Sequence, residues 1–182
     1  MKKTVLFITL AIFAGFAGIA QKKTTTSATI SFDATTSLDK LPKAENKTVI
    51  ASLNTKKGTI AFEALIKGFS FSNPKMQEHF NSPNWMQSDS FPRATFKGNF
   101  NNLATINFNH DGVYPAEVAG DLTIHGVTKN TTAKGTITIA GSTVTVNADF
   151  TIQLADYGIN GPAIGAGKVA KDPKISVSAE LK

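Results

Sequence analysis

VTVNADFTIQL, residues 144–154, decides the fold class: Val144, Val146, Ala148, Phe150, Ile152 and Leu154 are apolar, and every residue between them is polar. A two-residue period puts all six on one face of a strand, whereas on a helix they would scatter around the axis. The preceding stretch, residues 130–139, reads as the partner strand, joined through the turn Ala140-Gly141-Ser142. The pair predicts a long antiparallel hairpin with one buried face.

The same rhythm runs outward in both directions. Toward the C-terminus, Ile175, Val177, Ala179 and Leu181 share a face. Toward the N-terminus, Ala116, Val118, Gly120, Leu122 and Ile124 form another, after His110-Asp111-Gly112, whose Asp-Gly pair predicts a type I′ turn. Ala94, Phe96, Gly98 and Phe100 alternate likewise, and Asn101-Asn102 then predicts a hairpin to a strand carrying Ile106 and Phe108. Ile30, Phe32 and Ala34 begin the pattern, which resumes at residues 49–53 after a polar connection and continues with Ile60, Phe62, Ala64 and Ile66. Parity changes at Gly68, where a glycine bulge would re-aim the chain so that Phe69 and Phe71 become the apolar positions. About eight to ten hairpin-linked strands with no helices between them exclude parallel α/β folds and leave a sandwich or a closed barrel.

One segment breaks the rhythm. Asn73-Pro74 is a helix start, an N-cap followed by proline at the first helical position. Met76, His79 and Phe80 then fall on one stripe at i, i+3 and i+4. Ser82-Pro83 repeats the start signal ahead of Trp85 and Met86, and Phe91-Pro92 returns the chain to extended backbone. A short helical insert is therefore expected between two strands.

Four segments, MQEHFN (76–81), FPRATFKG (91–98), GDLTIHGVTKNTT (120–132) and ADYGI (155–159), occur in an order that resembles the YceI family of lipid- or polyisoprenoid-binding proteins. The resemblance runs from about Ala28 to the C-terminus. It implies a lipocalin-like antiparallel β-barrel of about eight strands with a short helical insert, holding an amphiphile with a long isoprenoid tail. An eight-stranded barrel can be filled by side chains or hold one small ligand. Ala64, Ala94, Gly98, Ala116, Gly120 and Ala148 share parity with the large apolar residues and argue for space inside.

Residues 1–20 have a lysine start, an apolar run and a small-residue end at Ala20, the pattern of a secretory signal peptide cleaved after Ala20. Residues 21–27, QKKTTTS, read as a flexible leader, and residues 28–182 as one domain. The expected location is periplasmic or secreted. The chain has no cysteine, so no disulfide supports the fold. Without Lys2 and Lys3 the balance is 17 basic against 13 acidic residues, with a single arginine. Such a dispersed lysine surface predicts no nucleic-acid partner and allows a transient contact with a membrane surface. A homodimer is left open.

No nucleophile elbow, zinc-binding helix motif or phosphate loop is present, so no enzyme, metal or cofactor is expected. The Asp156-Tyr157-Gly158 motif reads as a turn with Gly158 at positive φ. The candidate ligand-binding residues are Phe62, Phe69, Phe71, Phe96, Phe108 and Phe150 on the wall, Met76, Phe80 and Trp85 as a lid, and His79 and His125, which the resemblance makes either hydrogen-bonded structural residues or polar groups at the mouth. The leading expectation is an exported carrier or sequestering protein for an isoprenoid or fatty amphiphile, with a tie to envelope stress. The alternative is a filled barrel whose loops bind a protein partner.

Overall fold

Strands with one apolar face must hide it, and here they do so by closing on themselves. The computed structural model describes residues 22–182, so the expected signal peptide lies outside them. The strands are β1 (Lys22–Asp33), β2 (Lys43–Asn54), β3 (Thr59–Leu65), β4 (Ser70–Phe71), β5 (Arg93–Phe100), β6 (Gly112–Ile124), β7 (Val127–Ala140), β8 (Thr143–Thr151) and β9 (Lys174–Leu181). Two helices accompany them, α1 (Pro74–Asn81) and the single turn α2 (Pro162–Gly165). The order β1-β9-β8-β7-β6-β5-β3-β2 returns to β1 through a β1–β2 pairing, which makes a closed antiparallel barrel. The two-residue β4 sits on the start of β2 through Ala44 and Glu45.

The barrel has unlike ends. At the hairpin end the connections are residues 55–58, 101–111 and 141–142; at the insert end they are 34–42, 66–92, 125–126 and 152–173. Helix α1 begins as the sequence predicts: the Asn73 side chain accepts from the Lys75 N–H at 2.9 Å, and Pro74 occupies the first turn. It ends where the Ser82 hydroxyl donates to the His79 carbonyl at 2.8 Å and Pro83 follows.

Four sequence expectations are corrected. Residues 22–27 are not a flexible leader but the first half of β1. Lys22 pairs with Asn54 and Thr25 with Ala51, while the Thr24 N–H donates to the Lys182 carbonyl at 3.0 Å. Backbone bonds on both sides order this stretch without apolar alternation, and its threonines suit a strand.

The strand expected at Ile106 and Phe108 does not form. Residues Leu103–Thr105 make a 3-10 turn, and β5 pairs directly with β6, Phe96 opposite Leu122. Asn102 holds the loop against β6, donating to the Pro115 carbonyl at 2.9 Å and accepting from the Glu117 N–H at 3.0 Å. Loop side chains Leu103 and Ile106 pack onto the core.

At Gly68 the chain is re-aimed by a 3-10 turn, Ile66–Gly68, rather than a bulge. Wholly buried Asn46 fixes it, donating to the Leu65 carbonyl at 3.0 Å and accepting from the Thr48 N–H at 2.9 Å. A Cβ on Gly68 would meet the Asn46 amide at 2.7 Å, so this position needs glycine for space.

The Asp111-Gly112 pair does not turn a hairpin. Asp111 accepts instead from the Gly141 N–H at 2.8 Å and ties two loops together. The tight turn with two positive-φ residues is His125-Gly126, at φ 52° and 75°, between β6 and β7.

Candidate functional site

The inward faces are those read from the alternation, but they are not filled evenly. At the hairpin end Leu53, Ile137 and Leu181 are fully buried and Val144 nearly so. Toward the insert end, Phe96, Phe150, Ile175 and Val177 share inward faces yet are only partly buried. They border an internal void, with Ile60, Phe100, Val118 and Val146 as its floor. Ile66, Phe69, Phe80, Met86, Leu154 and Ile159 close over it from the loops of the insert end. Glycine lets adjacent strands approach closely in this wall: a Cβ on Gly120 would lie 2.2 Å from the Lys97 carbonyl oxygen.

The space is small, a cavity of about 140 Å³. Its lining is apolar except at Thr95, Thr131 and Asn147 and contains no charged residue. By strand parity Thr95 and Asn147 point outward and reach the void through their backbone, which leaves Thr131 as the inward polar side chain. Behind it stands Tyr157, 3 % exposed. Burial raises the Tyr157 phenol above its ordinary 10.0, partly offset by a hydrogen bond with Thr131. Such a surface can desolvate a hydrocarbon but cannot solvate an ion.

Of the candidate residues, Phe62, Phe69, Phe80, Phe96 and Phe150 line the void. The other six lie elsewhere. Phe71 backs Phe80 from outside the lining, their ring centroids 4.9 Å apart. Met76 is half-buried on α1, and His79 on the same helix is exposed because it falls on the solvent side of the stripe. Trp85 is half-buried and lies over Gly161, where an added Cβ would meet its ring at 3.0 Å. It therefore joins the insert to the loop before α2. Phe108 belongs to the hairpin end, since the strand meant to carry it is a loop.

His125 is a bracket rather than a mouth group. Its Nδ1 lies 3.0 Å from the Tyr157 carbonyl; a carbonyl only accepts, so Nδ1 carries the hydrogen. Phe91 meets the imidazole edge-on with centroids 4.7 Å apart, and Nε2 is buried without a partner. One turn residue thus holds the β6–β7 turn, the insert and the segment after β8 together. Gly158 has φ 69°, as the turn reading of that segment requires.

The lid residues Met86 and Ile159 were missed because they sit in non-repeating loops, where alternation carries no information; Leu154 ends the alternating run read from the sequence but lies in a 3-10 turn that folds it over the void. Ile30 and Phe32 lie on an apolar face legible in the sequence and also line the void. Among the described residues, no group of three or more His, Asp or Glu side chains is placed to hold a metal ion.

A family model described as a YceI-like domain matches residues 13–181. A UPF0312 protein of Pseudomonas putida is 32 % identical over 112 residues, 58 % of this chain and 54 % of that protein. The chain thus spans about half the length of the curated relatives it matches. Among solved structures, a polyisoprenoid binding domain from Saccharophagus degradans, described as implicated in plant cell wall breakdown, superposes with a TM-score of 0.74 at 10 % identity. That match covers 89 % of this chain and 98 % of that one. BcnA of Burkholderia cenocepacia gives 0.69 at 17 % identity, covering 90 % and 98 %. At these identities the structural likeness speaks for the fold.

Proposed function

The chain belongs to the YceI-like family, and from that membership together with the shape of its void we propose that it is an exported binding protein for the hydrocarbon tail of an isoprenoid or fatty amphiphile. One observation carries the reading: a small apolar space in the insert half of the barrel, without a charged residue in its lining and closed over by Phe69, Phe80 and Met86. The description of the Saccharophagus neighbour as polyisoprenoid binding supports the same class of ligand. Affinity comes from burial. Each methylene removed from water contributes about 0.8 kcal/mol, so affinity grows with the length of tail that the barrel takes in. The head group stays at the mouth, since an ionised head drawn into this lining would lose its hydration with no partner in return. The role is carriage or sequestration rather than catalysis, in the periplasm or outside the cell, and service under envelope stress fits such a carrier.

The test is native mass spectrometry of protein purified gently from its own host, followed by lipid analysis of whatever dissociates. The expected result is a bound mass of several hundred daltons with a hydrocarbon-rich fragment pattern. An empty protein whose Trp85 fluorescence does not respond to added prenyl lipids would overturn the proposal. Trp85 is a suitable reporter because it bridges the two loops that cover the void.

A further inference from the structure

Five large apolar side chains stand well exposed among the described residues, and two of them, Leu38 at 72 % and Leu41 at 45 %, share the β1–β2 turn at the insert end. The turn is built to hold them out. The Thr36 hydroxyl accepts from the N–H groups of Leu38 and Asp39 at 3.1 Å each, the Asp39 carboxylate accepts from the Leu41 N–H at 2.8 Å, and Asp33 accepts from the Thr35 N–H at 2.9 Å. The backbone that carries the leucines is therefore ordered before any contact. The turn is fastened to the loop around α2, since the Ala170 N–H donates to the Ala34 carbonyl at 2.8 Å and Leu38 lies beside Gly167.

Charge surrounds the leucines with one excess sign. Lys40 and Lys43 flank them, Lys168 and Lys171 lie on the fastened loop, and all four are exposed and outside the ion pairs of the described residues. Asp33 and Asp39 keep their charge but turn it inward to the N–H groups of Thr35 and Leu41, and Asp172 is the acid beside Lys171, so four lysines face three aspartates. Two projecting leucines ringed by lysines match an anionic bilayer, which takes apolar side chains below its head groups and attracts cations to them. A protein groove would also accept the leucines, but it would have to provide acids facing each lysine; an anionic bilayer presents that charge continuously.

We propose that the turn at residues 35–42, with Lys168 and Lys171, docks the insert end of the barrel on the surface of an anionic membrane. Docking there sets the covered end of the void against the bilayer, the orientation in which a tail could pass between them. This docking does not depend on whether the void carries lipid.

The probe is vesicle flotation with phosphatidylcholine alone and with phosphatidylcholine containing phosphatidylglycerol. The purified protein is compared with the variants Leu38→Glu Leu41→Glu, Lys40→Glu Lys168→Glu and, as a control at another exposed apolar site, Val113→Glu. All four positions of the test variants are exposed, and circular dichroism checks that each variant is folded. Expected is binding to the phosphatidylglycerol vesicles that falls about tenfold or more in the double leucine variant. It should fall about fivefold per lysine in the charge variant, with a loss of salt dependence, and be unchanged in Val113→Glu. Equal binding by the leucine variant and the parent overturns the proposal, as does the absence of any vesicle binding. If the leucine variant only converts a dimer to a monomer in sedimentation, the turn is a contact between copies. Protein that binds vesicles through this turn but carries no lipid would sink the cargo reading alone; loaded protein that ignores vesicles would sink this one alone.

Discussion

Along β9, Ala179 and Leu181 are 1 % and 0 % exposed, whereas Ile175 and Val177, on the same face a few residues earlier, remain only partly buried. Along β8, Val144 is buried and Phe150 is not. The strands are the same and so is the parity; the difference lies in what fills the space between the walls. At the hairpin end branched side chains meet across the barrel and the 101–111 loop adds Leu103 and Ile106. At the insert end Ala94, Ala133 and Ala148 leave room that the lid covers without filling. Alternation therefore specifies an inside, and side-chain volume at each level decides whether that inside is solid.

The largest effect should come from deleting packed volume. Leu53→Ala, at a wholly buried position of the hairpin end, is expected to cost about 2–5 kcal/mol by urea unfolding, the range for a cavity in a close-packed core. Phe150→Ala removes more atoms but from a side chain already facing empty space, so it should cost less than the roughly 3–5 kcal/mol usual for a buried phenylalanine. Equal losses per atom removed would show that the void collapses in solution and would break the contrast between the ends.

Insertion gives a smaller, opposite pair. Ala179 is sealed among neighbours, and Ala179→Phe should destabilise by about 1–3 kcal/mol or more through overpacking. Ala133 lines the void, so Ala133→Phe should hold stability within about 1 kcal/mol of the parent, as a side chain entering free space. The same variant should exclude the lipid that the parent retains. Lipid retained at full occupancy would place the tail elsewhere.

The contrast between the two ends also separates what the sequence reveals from what it hides. The wall was legible because a two-residue period reports which side chains share a face: Phe62, Phe96 and Phe150 were found that way. The start of α1 was legible from Asn73-Pro74, whose cap is a local hydrogen bond. The position of His79 was not, because a stripe at i, i+3 and i+4 does not say how far the stripe extends around the helix. The strand nature of residues 22–27 was hidden for a different reason. It depends on Asn54 and Lys182, distant partners whose backbone groups carry no sequence signature. For His125 the sequence left open a hydrogen-bonded structural residue and a polar head-group contact; its role as a bracket rests on a carbonyl 32 residues away. The void itself could be suspected from the alanines but not located, since its floor is set by residues from several strands meeting at one level.

The smallest effect belongs to the rim of the hollow end. Asp33 has its carboxyl held below the ordinary 3.8 first by the backbone hydrogen bond from Thr35, and further by the charges of Lys43 and Lys40. A carboxylate whose folded-state pKa is depressed stabilises the protein above the unfolded pKa, and that contribution disappears as pH falls through the lower folded value. The gain is a few tenths of a kcal/mol at most, because the carboxylate and both lysines are exposed and screened. Asp33→Asn keeps an oxygen for the Thr35 N–H but removes the charge, so at pH 7 it should be slightly less stable than the parent, and the difference should close below pH 3.8. In an NMR titration the Thr35 amide of the parent should shift with a midpoint below 3.8, and in Asp33→Asn it should stay still. The amide of Ile137, in the solid half, should be silent in both proteins. Movement of Ile137 together with Thr35 would mean that the two ends of the barrel respond as one body to acid, against the independence that their packing implies.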